Sequence, residues 1–542
     1  MNNKDEKPEL IATSSGFSVF YKNKYLYSRY SPQKSVLNLI EQTAIPPETL
    51  VLCMSPLLGY GLSELLKKMP ASSFAAAIEY DENLMELSLN SIGNEIFNHS
   101  SFFYIRTNSV KLFLKQLEQK IKEKKFRRVI RLDFSAGAAL NKSFYSGIEY
   151  FTKEYISRYW INKLTLIQFG KNYALNIFKN YCAVLKHKNR FASLQCGSIT
   201  KPILVAAAGP SLDCSLKFIE KNRKHLFVIA VDAAAFGLYP KIKPDAIIIL
   251  ESQYWIQKAF IGLSGSGIPV IADLTANPKA VQAAGGLCSF FFTDYADNPF
   301  FDFLENKHLL PLHLEPMGSV GLSALKIASL LAAQGTPIFH TGLDFSWGRG
   351  FTHSKAAFQV MSSFSECSKL HNLYCADNLF GGKVETEIGK NGIRIFTSPN
   401  LKSYAELYKH IFADNPNFFD IGKTGLLLNS NLIDENLAET IICKNYNGIS
   451  DSDTFCRCFE SGTFALISEF LKTEKEKLLM LKAVFTHKVM AESTHLKNLL
   501  ISVPYLYLHF ADYSEENLLH QNFLNRIRIE LEYFLKIFAD IY

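Results

Sequence analysis

Read for the alternation of apolar and polar positions, the chain falls into three stretches of different rhythm. In residues 1–140, short apolar runs alternate with helical spacing. TLVLCM (Thr49–Met54), SFAAAIEYD (ending in Glu79 and Asp81), SFFYIRT (Ser101–Thr107) and RRVIRLDF (Arg127–Phe134) are four such runs. Their length and bounding turn residues predict buried strands. The first run is followed by a loop, SPLLGYG, and then by LSELLKKM with helical spacing. Strand, glycine turn, helix, and a strand with a terminal acid outline a nucleotide-binding βαβ unit. Only Gly59 and Gly61 stand in the turn, and no GxGxxG is present. The expectation is a Rossmann-like domain that retains no ligand.

Residues 141–195 contain no proline and two glycines, and predict one or two long helices. In residues 196–433 the alternation is clearest. PILVAAA, LFVIAVD, PDAIIILE, PVIADLT, SFFFTD and TPIFHTGLDF are nearly all-apolar runs separated by helical patterns. That rhythm predicts a parallel sheet covered on both faces. Residues 434–542 are helical, with Ile527, Leu531, Phe534, Leu535 and Phe538 forming one apolar stripe. Pro504 separates two of these helices. The predicted fold is α/β in three parts, an N-terminal Rossmann-like domain (1–140), a central doubly wound domain (196–433) and a C-terminal helical domain (434–542) acting as a packed cap, with a helical linker (141–195) joining the first two.

Composition narrows the classes. Hydrophobic residues at 48% and aromatic residues at 13% exclude a disordered chain. Ten cysteines in 542 residues, with no CxxC pair, exclude a disulfide scaffold and give no zinc site. A reducing compartment is expected. The opening MNNKDEKPEL lacks the apolar core of a signal peptide. No apolar run reaches the ~18–20 residues that span a bilayer. These readings together predict a cytoplasmic protein without membrane insertion. A net charge of +7, from 58 basic and 51 acidic residues, does not point to nucleic acid.

Candidate chemistry gathers in the central part. AAAGPSLD (Ala206–Asp213) ends a strand, turns at Gly209 and Pro210, and opens a helix at Ser211. Free amides and the dipole at a helix start favour a phosphate. The Walker lysine is absent, so ordinary P-loop hydrolysis is excluded. Asp232 and Glu251 end the next two strands, where acids hold ribose hydroxyls or a base, or cap the following helix. MGSVG places Gly318 and Ser319 before a second long helix. TGLDFSWGRGFTHSK then brings Asp344, Arg349, His353 and Lys355 into one loop. His353 has the chemistry of a general base near neutral pH. No metal cluster is visible, although strand-end acids have the right oxygens for Mg²⁺.

AAAGPSLD, VDAAA, PDAIIILE, GSVGLSALKIA, TGLDFSW and THSK, in that order, resemble the motility accessory factor (Maf) family of bacterial flagellin glycosyltransferases, whose central domain is called MptE-like. The central part is also similar to bacterial sialyltransferases that use a cytidine-monophosphate sugar. The residues matching that pattern are Gly209-Pro210-Ser211-Leu212, Asp232, Gly318-Ser319, Gly342-Leu343-Asp344-Phe345 and His353-Ser354-Lys355. Ala208 and Asp232 stand where the sialyltransferase pattern has asparagines. The resemblance implies transfer of a nonulosonic acid (pseudaminic, legionaminic or sialic type) from a CMP-activated donor to Ser/Thr hydroxyls of flagellin. It implies catalytic roles for His353 and Asp344, and a nucleotide-sugar site of Gly209, Pro210, Ser211, Asp232, Glu251, Gly318, Ser319 and Lys355. It further implies no permanently bound cofactor and no metal. Two alternatives stand beside it: an ATP-dependent 6-hydroxymethylpterin pyrophosphokinase, and a non-enzymatic flagellin-binding assembly factor.

Overall fold

The computed structural model describes residues 7–121, 126–295, 298–370, 383–445, 455–459, 461–486 and 493–539. The chain divides into two compact units, residues 1–164 and 165–542. The boundary falls inside one 45-residue helix, α1 (Lys142–Lys186). Its length agrees with the proline-free stretch that predicted it.

The first unit holds a parallel sheet of β1 (Thr49–Met54), β2 (Phe74–Glu79), β3 (Phe102–Arg106) and β4 (Arg128–Asp133), in the order β3-β2-β1-β4. Side chains of a strand alternate between faces. Val51 and Cys53 accordingly join one apolar cluster, while Leu50, Leu52 and Met54 join the other. Burial on both faces is why these strands read as unbroken apolar runs. A three-stranded antiparallel ribbon over Glu9–Tyr25 completes the unit.

The second unit is built on a nine-stranded, wholly parallel sheet. Its strands are β5 (Ile203–Ala206), β6 (Phe227–Val231), β7 (Ala246–Ile249), β8 (Ile268–Asp273), β9 (Gly285–Thr293), β10 (Leu312–Leu314), β11 (Ile338–Thr341), β12 (Phe418–Asp420) and β13 (Asn431–Leu432). They lie in the order β10-β9-β8-β7-β6-β5-β11-β12-β13. The chain steps outward from β5 as far as β10, then returns to the other side of β5 to form β11. That reversal makes a topological switch point between β5 and β11, and open α/β sheets bind ligands beyond the carboxyl ends of strands at such a point.

One apolar core runs from α1 through the sheet to the C-terminal helices. Phe178 shows the continuity. Its ring lies 6.2 Å from Phe300, 5.3 Å from Phe470, 4.8 Å from Tyr505 and 5.3 Å from Phe534. The predicted stripe Ile527, Leu531, Phe534 and Phe538 is buried in that core, with Leu535 at its edge. The residues expected to form a helical linker and a helical cap therefore share the hydrophobic core of the central sheet.

Candidate functional site

The carboxyl ends of β5 and β11 are stitched together by short loops. Ala207 N donates to Thr341 O at 2.9 Å, and Gly209 N donates to Gly342 O at 2.9 Å. Such close approach requires glycine. A Cβ on Gly209 would stand 2.4 Å from Gly342 O and 2.7 Å from Asp344 Oδ2. Gly342 has φ +75°, and a Cβ there would stand 2.1 Å from Ala207 O.

Ser211 is fully buried. Its backbone N–H donates to Asp344 Oδ2 at 2.6 Å, and its hydroxyl accepts from Gly342 N at 2.9 Å. Pro210 has no N–H, and Leu212 N already donates to Gly209 O at 3.1 Å. The amides expected to cradle a phosphate at the start of α2 (Leu212–Asn222) are thus engaged within the protein, and the anion on the Ser211 amide is Asp344. Gly209 and Pro210 remain half-exposed on the rim. Asp344 is buried, and burial pushes its carboxyl up to about 6 against the lowering effect of the Ser211 hydrogen bonds. Its second oxygen, Oδ1, is buried without a hydrogen-bond partner among the described residues. A buried orphan acceptor of this kind implies a missing donor.

The HSK tripeptide docks directly on this turn. Ser354 N donates to Ala208 O at 2.8 Å, the Ser354 hydroxyl donates to Asp213 Oδ1, and Lys355 N donates to Asp213 Oδ2 at 3.1 Å. His353 is therefore held next to the end of β5. It is half-buried, its ring pKa is pushed down by burial, and Nδ1 lies 2.9 Å from Thr352 Oγ1. The side chains of Lys355 and Arg349 are exposed.

The second helix start reaches the same edge. α3 (Asp232–Leu238) follows β6, and α4 (Val320–Leu331) forms the crossover from β10 to β11. A Cβ on Gly321, in the first turn of α4, would stand 2.3 Å from Leu343 Cδ2 and 3.6 Å from Ala207 Cβ. The start of α4 therefore lies against the ends of β5 and β11. Ser319 occupies its N-cap position in extended backbone and makes no side-chain cap bond. Gly318 is exposed and Ser319 half-buried. This helix start is the one whose geometry suits an incoming anion.

Asp232 sits at the end of β6, buried, and accepts from Ala233 N at 2.7 Å. Burial, and secondarily the charge of Glu251, raise its pKa to about 7. Glu251, beyond β7, is half-buried and accepts from Gln253 N at 2.9 Å. Both acids thus do some local capping while standing on the same edge as the switch point. The structure brings Gly209, Ser211 and Asp344 into contact and docks the His353 loop on the neighbouring Ala208 and Asp213. It sets the first turn of α4 against Leu343 and Ala207, and Asp232 and Glu251 at the ends of the strands one and two places away.

Several residues here escaped the sequence reading. Asp213 anchors the HSK loop. Beneath Asp344, Asp420 at the end of β12 pairs with Lys390, lies 3.7 Å from His340 Nδ1, and accepts from Gly422 N at 2.8 Å. His340 Nε2 lies 2.7 Å from Tyr408 OH. Burial, opposed by Asp420, pushes the His340 ring down to about 4. The run NFFD shows the same strand-then-acid signal as LFVIAVD and marks Asp420 in retrospect. Among the described residues, no three His, Cys, Asp or Glu side chains gather closely enough to hold a metal ion. No described helix is long and apolar enough to cross a membrane.

Comparison with known proteins agrees with this architecture. Residues 171–350 match the family model described as 6-hydroxymethylpterin diphosphokinase MptE-like. An uncharacterized protein of Treponema pallidum (strain Nichols) is 36% identical over 548 residues, covering 98% of this chain and 95% of that protein. The solved structure of the MAf glycosyltransferase from Magnetospirillum magneticum AMB-1 is similar with a TM-score of 0.59 at 14% identity, covering 99% of this chain and 93% of that one. At that identity the likeness is one of fold.

Proposed function

Starting from the fact that this chain belongs to the same family as the uncharacterized Treponema pallidum protein, we propose that it is a flagellin glycosyltransferase. It would move a nonulosonic acid from a CMP-activated donor to Ser/Thr hydroxyls of flagellin, in the cytoplasm and without a resident cofactor. The MptE-like match and the MAf-like fold support this reading. The observation that carries it is the docking of Ser354 on Ala208 and Asp213, which holds His353 at the switch-point crevice.

In this reading the nucleotide phosphate approaches the uncapped start of α4 at Ser319. The orphan Asp344 Oδ1 accepts a donor hydroxyl. The bond between the sugar anomeric carbon and the phosphate oxygen breaks, and CMP leaves with that electron pair. The acceptor hydroxyl oxygen bonds to the anomeric carbon through an oxocarbenium-like transition state. With Nδ1–H donating to Thr352 Oγ1, His353 Nε2 takes the hydroxyl proton. Burial lowers the pKa of that ring and so favours the neutral form a base needs. Lys355 or Arg349, both exposed at the loop, pairs with the sugar carboxylate.

The name of the matched family model favours one second reading, pyrophosphate transfer from ATP to 6-hydroxymethylpterin. Asp232, Glu251 and Asp344 are then the acids available to Mg²⁺. Thermal denaturation separates the two. The transferase reading expects CMP to raise the melting temperature without a divalent cation. Stabilisation by ATP with Mg²⁺ and a pterin, but not by CMP, would favour the kinase instead.

A further inference from the structure

A second concave site lies in the same unit, away from the switch point. It is a cavity of about 820 Å³ between the C-terminal end of α1, the segment Tyr254–Gln257, the segment Asn277–Gln282 and the last helix, Gln521–Ala539. Lys179, Lys186, Lys279, Lys536 and His187 line it, with Tyr254 and Tyr533, and no carboxylate is among its described lining residues. Lys186, Lys279 and Lys536 are exposed, and their ammonium groups make no ion pair among the described residues, Lys536 lying 5.9 Å from the Tyr533 ring. Lys188 and Arg190 extend the positive charge directly past the end of α1.

Like charges converging on one concavity repel each other, and low-dielectric walls focus their field outward. Such an arrangement attracts a compact anion. Acidic residues along an extended peptide are spread at ~3.3 Å per residue, whereas a condensed phosphate carries several charges within one cavity's width. The volume falls in the range of small-molecule sites, about 300–1,000 Å³. The site also offers aromatic surface, since Tyr254 is 77% and Tyr533 45% exposed. Asn277, whose side chain lines the cavity, donates its backbone N–H to Glu251 O at 3.0 Å. The cavity therefore flanks the same carboxyl edge of the sheet, beyond Glu251.

We infer that this cavity binds a condensed phosphate, either free or carried by a nucleoside, separately from the switch-point crevice. The test is calorimetric titration of the full chain with sodium triphosphate, with ATP, and with a poly-glutamate peptide. Triphosphate should bind saturably and lose affinity as salt is raised. The double variant Lys279→Glu/Lys536→Glu alters exposed side chains only, so its thermal melt should match the wild type. It should bind triphosphate about tenfold more weakly or worse. If ATP binds more tightly than triphosphate and Tyr254→Ala removes that advantage, the phosphate is nucleoside-borne; equal affinities mean it is free. Absence of triphosphate binding, affinity unchanged in the double variant, or binding of poly-glutamate alone would overturn the inference. CMP stabilisation of the double variant reads the other crevice. Its failure in wild type alongside intact triphosphate binding would count against the donor site only.

Discussion

Both units carry a parallel sheet whose strand order reverses, and they differ in how a strand-end acid is satisfied. In the first, the acid that ends β2 is fully engaged by the protein's own groups. Glu79 is fully buried, and both its oxygens are occupied: Ser55 Oγ donates at 2.6 Å, Tyr145 OH at 2.7 Å and Tyr80 N at 3.0 Å. In the second, among the described residues, Asp344 keeps one oxygen without a partner, Ser319 makes no side-chain cap bond at the start of α4, and a histidine loop is pinned next to the end of β5. The acid at a strand end is common to both units and does not by itself mark a site. What distinguishes the second unit is the hydrogen-bonding capacity left unused at its crevice.

The contrast is broken most strongly at Gly209. Gly209→Val places carbon against Gly342 O and Asp344, and overpacking of that kind costs about 1–3 kcal/mol. The expected outcome is a lower melting temperature together with loss of stabilisation by CMP. A variant that melts and responds to CMP like wild type would show that the tight β5–β11 junction is dispensable.

A smaller effect sharpens the comparison from the other side. Burial raises the Glu79 carboxyl to about 7, from an ordinary value of about 4.3. The folded state therefore favours the protonated acid. The associated stability is present below pH ~4.3 and is lost as pH rises through ~7, on the order of 1–3 kcal/mol. Calorimetry at pH 5 and pH 8 should show the wild type melting lower at pH 8. Glu79→Gln should reduce that difference while leaving flagellin modification unchanged. An equal pH dependence in the variant would mean that Glu79 is not the group responsible.

Much of the fold was legible because both sheets are buried on two faces. TLVLCM became β1 without a shift, PILVAAA, LFVIAVD and PDAIIILE each contain a central strand, and PVIADLT misses only the first residue of β8. The short β10 and β13, and the hairpin Glu385–Ile388/Arg394–Thr397, were not read, since two to four residues carry too little periodicity. At the site, the GPSL turn and the HSK loop announced themselves by residue type, but their pairing through Ala208 and Asp213 spans 141 positions of chain and has no local signal. The use of the Ser211 amide on Asp344 was equally invisible, because it depends on how two strand ends meet. Lys390 and Asp420 find each other across 30 residues by burial alone.

The central claim is that His353, at the open switch point, removes the acceptor proton. Intact-mass spectrometry of flagellin tests it directly, in cells whose sole copy of this protein carries His353→Ala. The account predicts flagellin at its unmodified mass, with flagellin still co-purifying with the variant; flagellin carrying its full complement of sugar would contradict it.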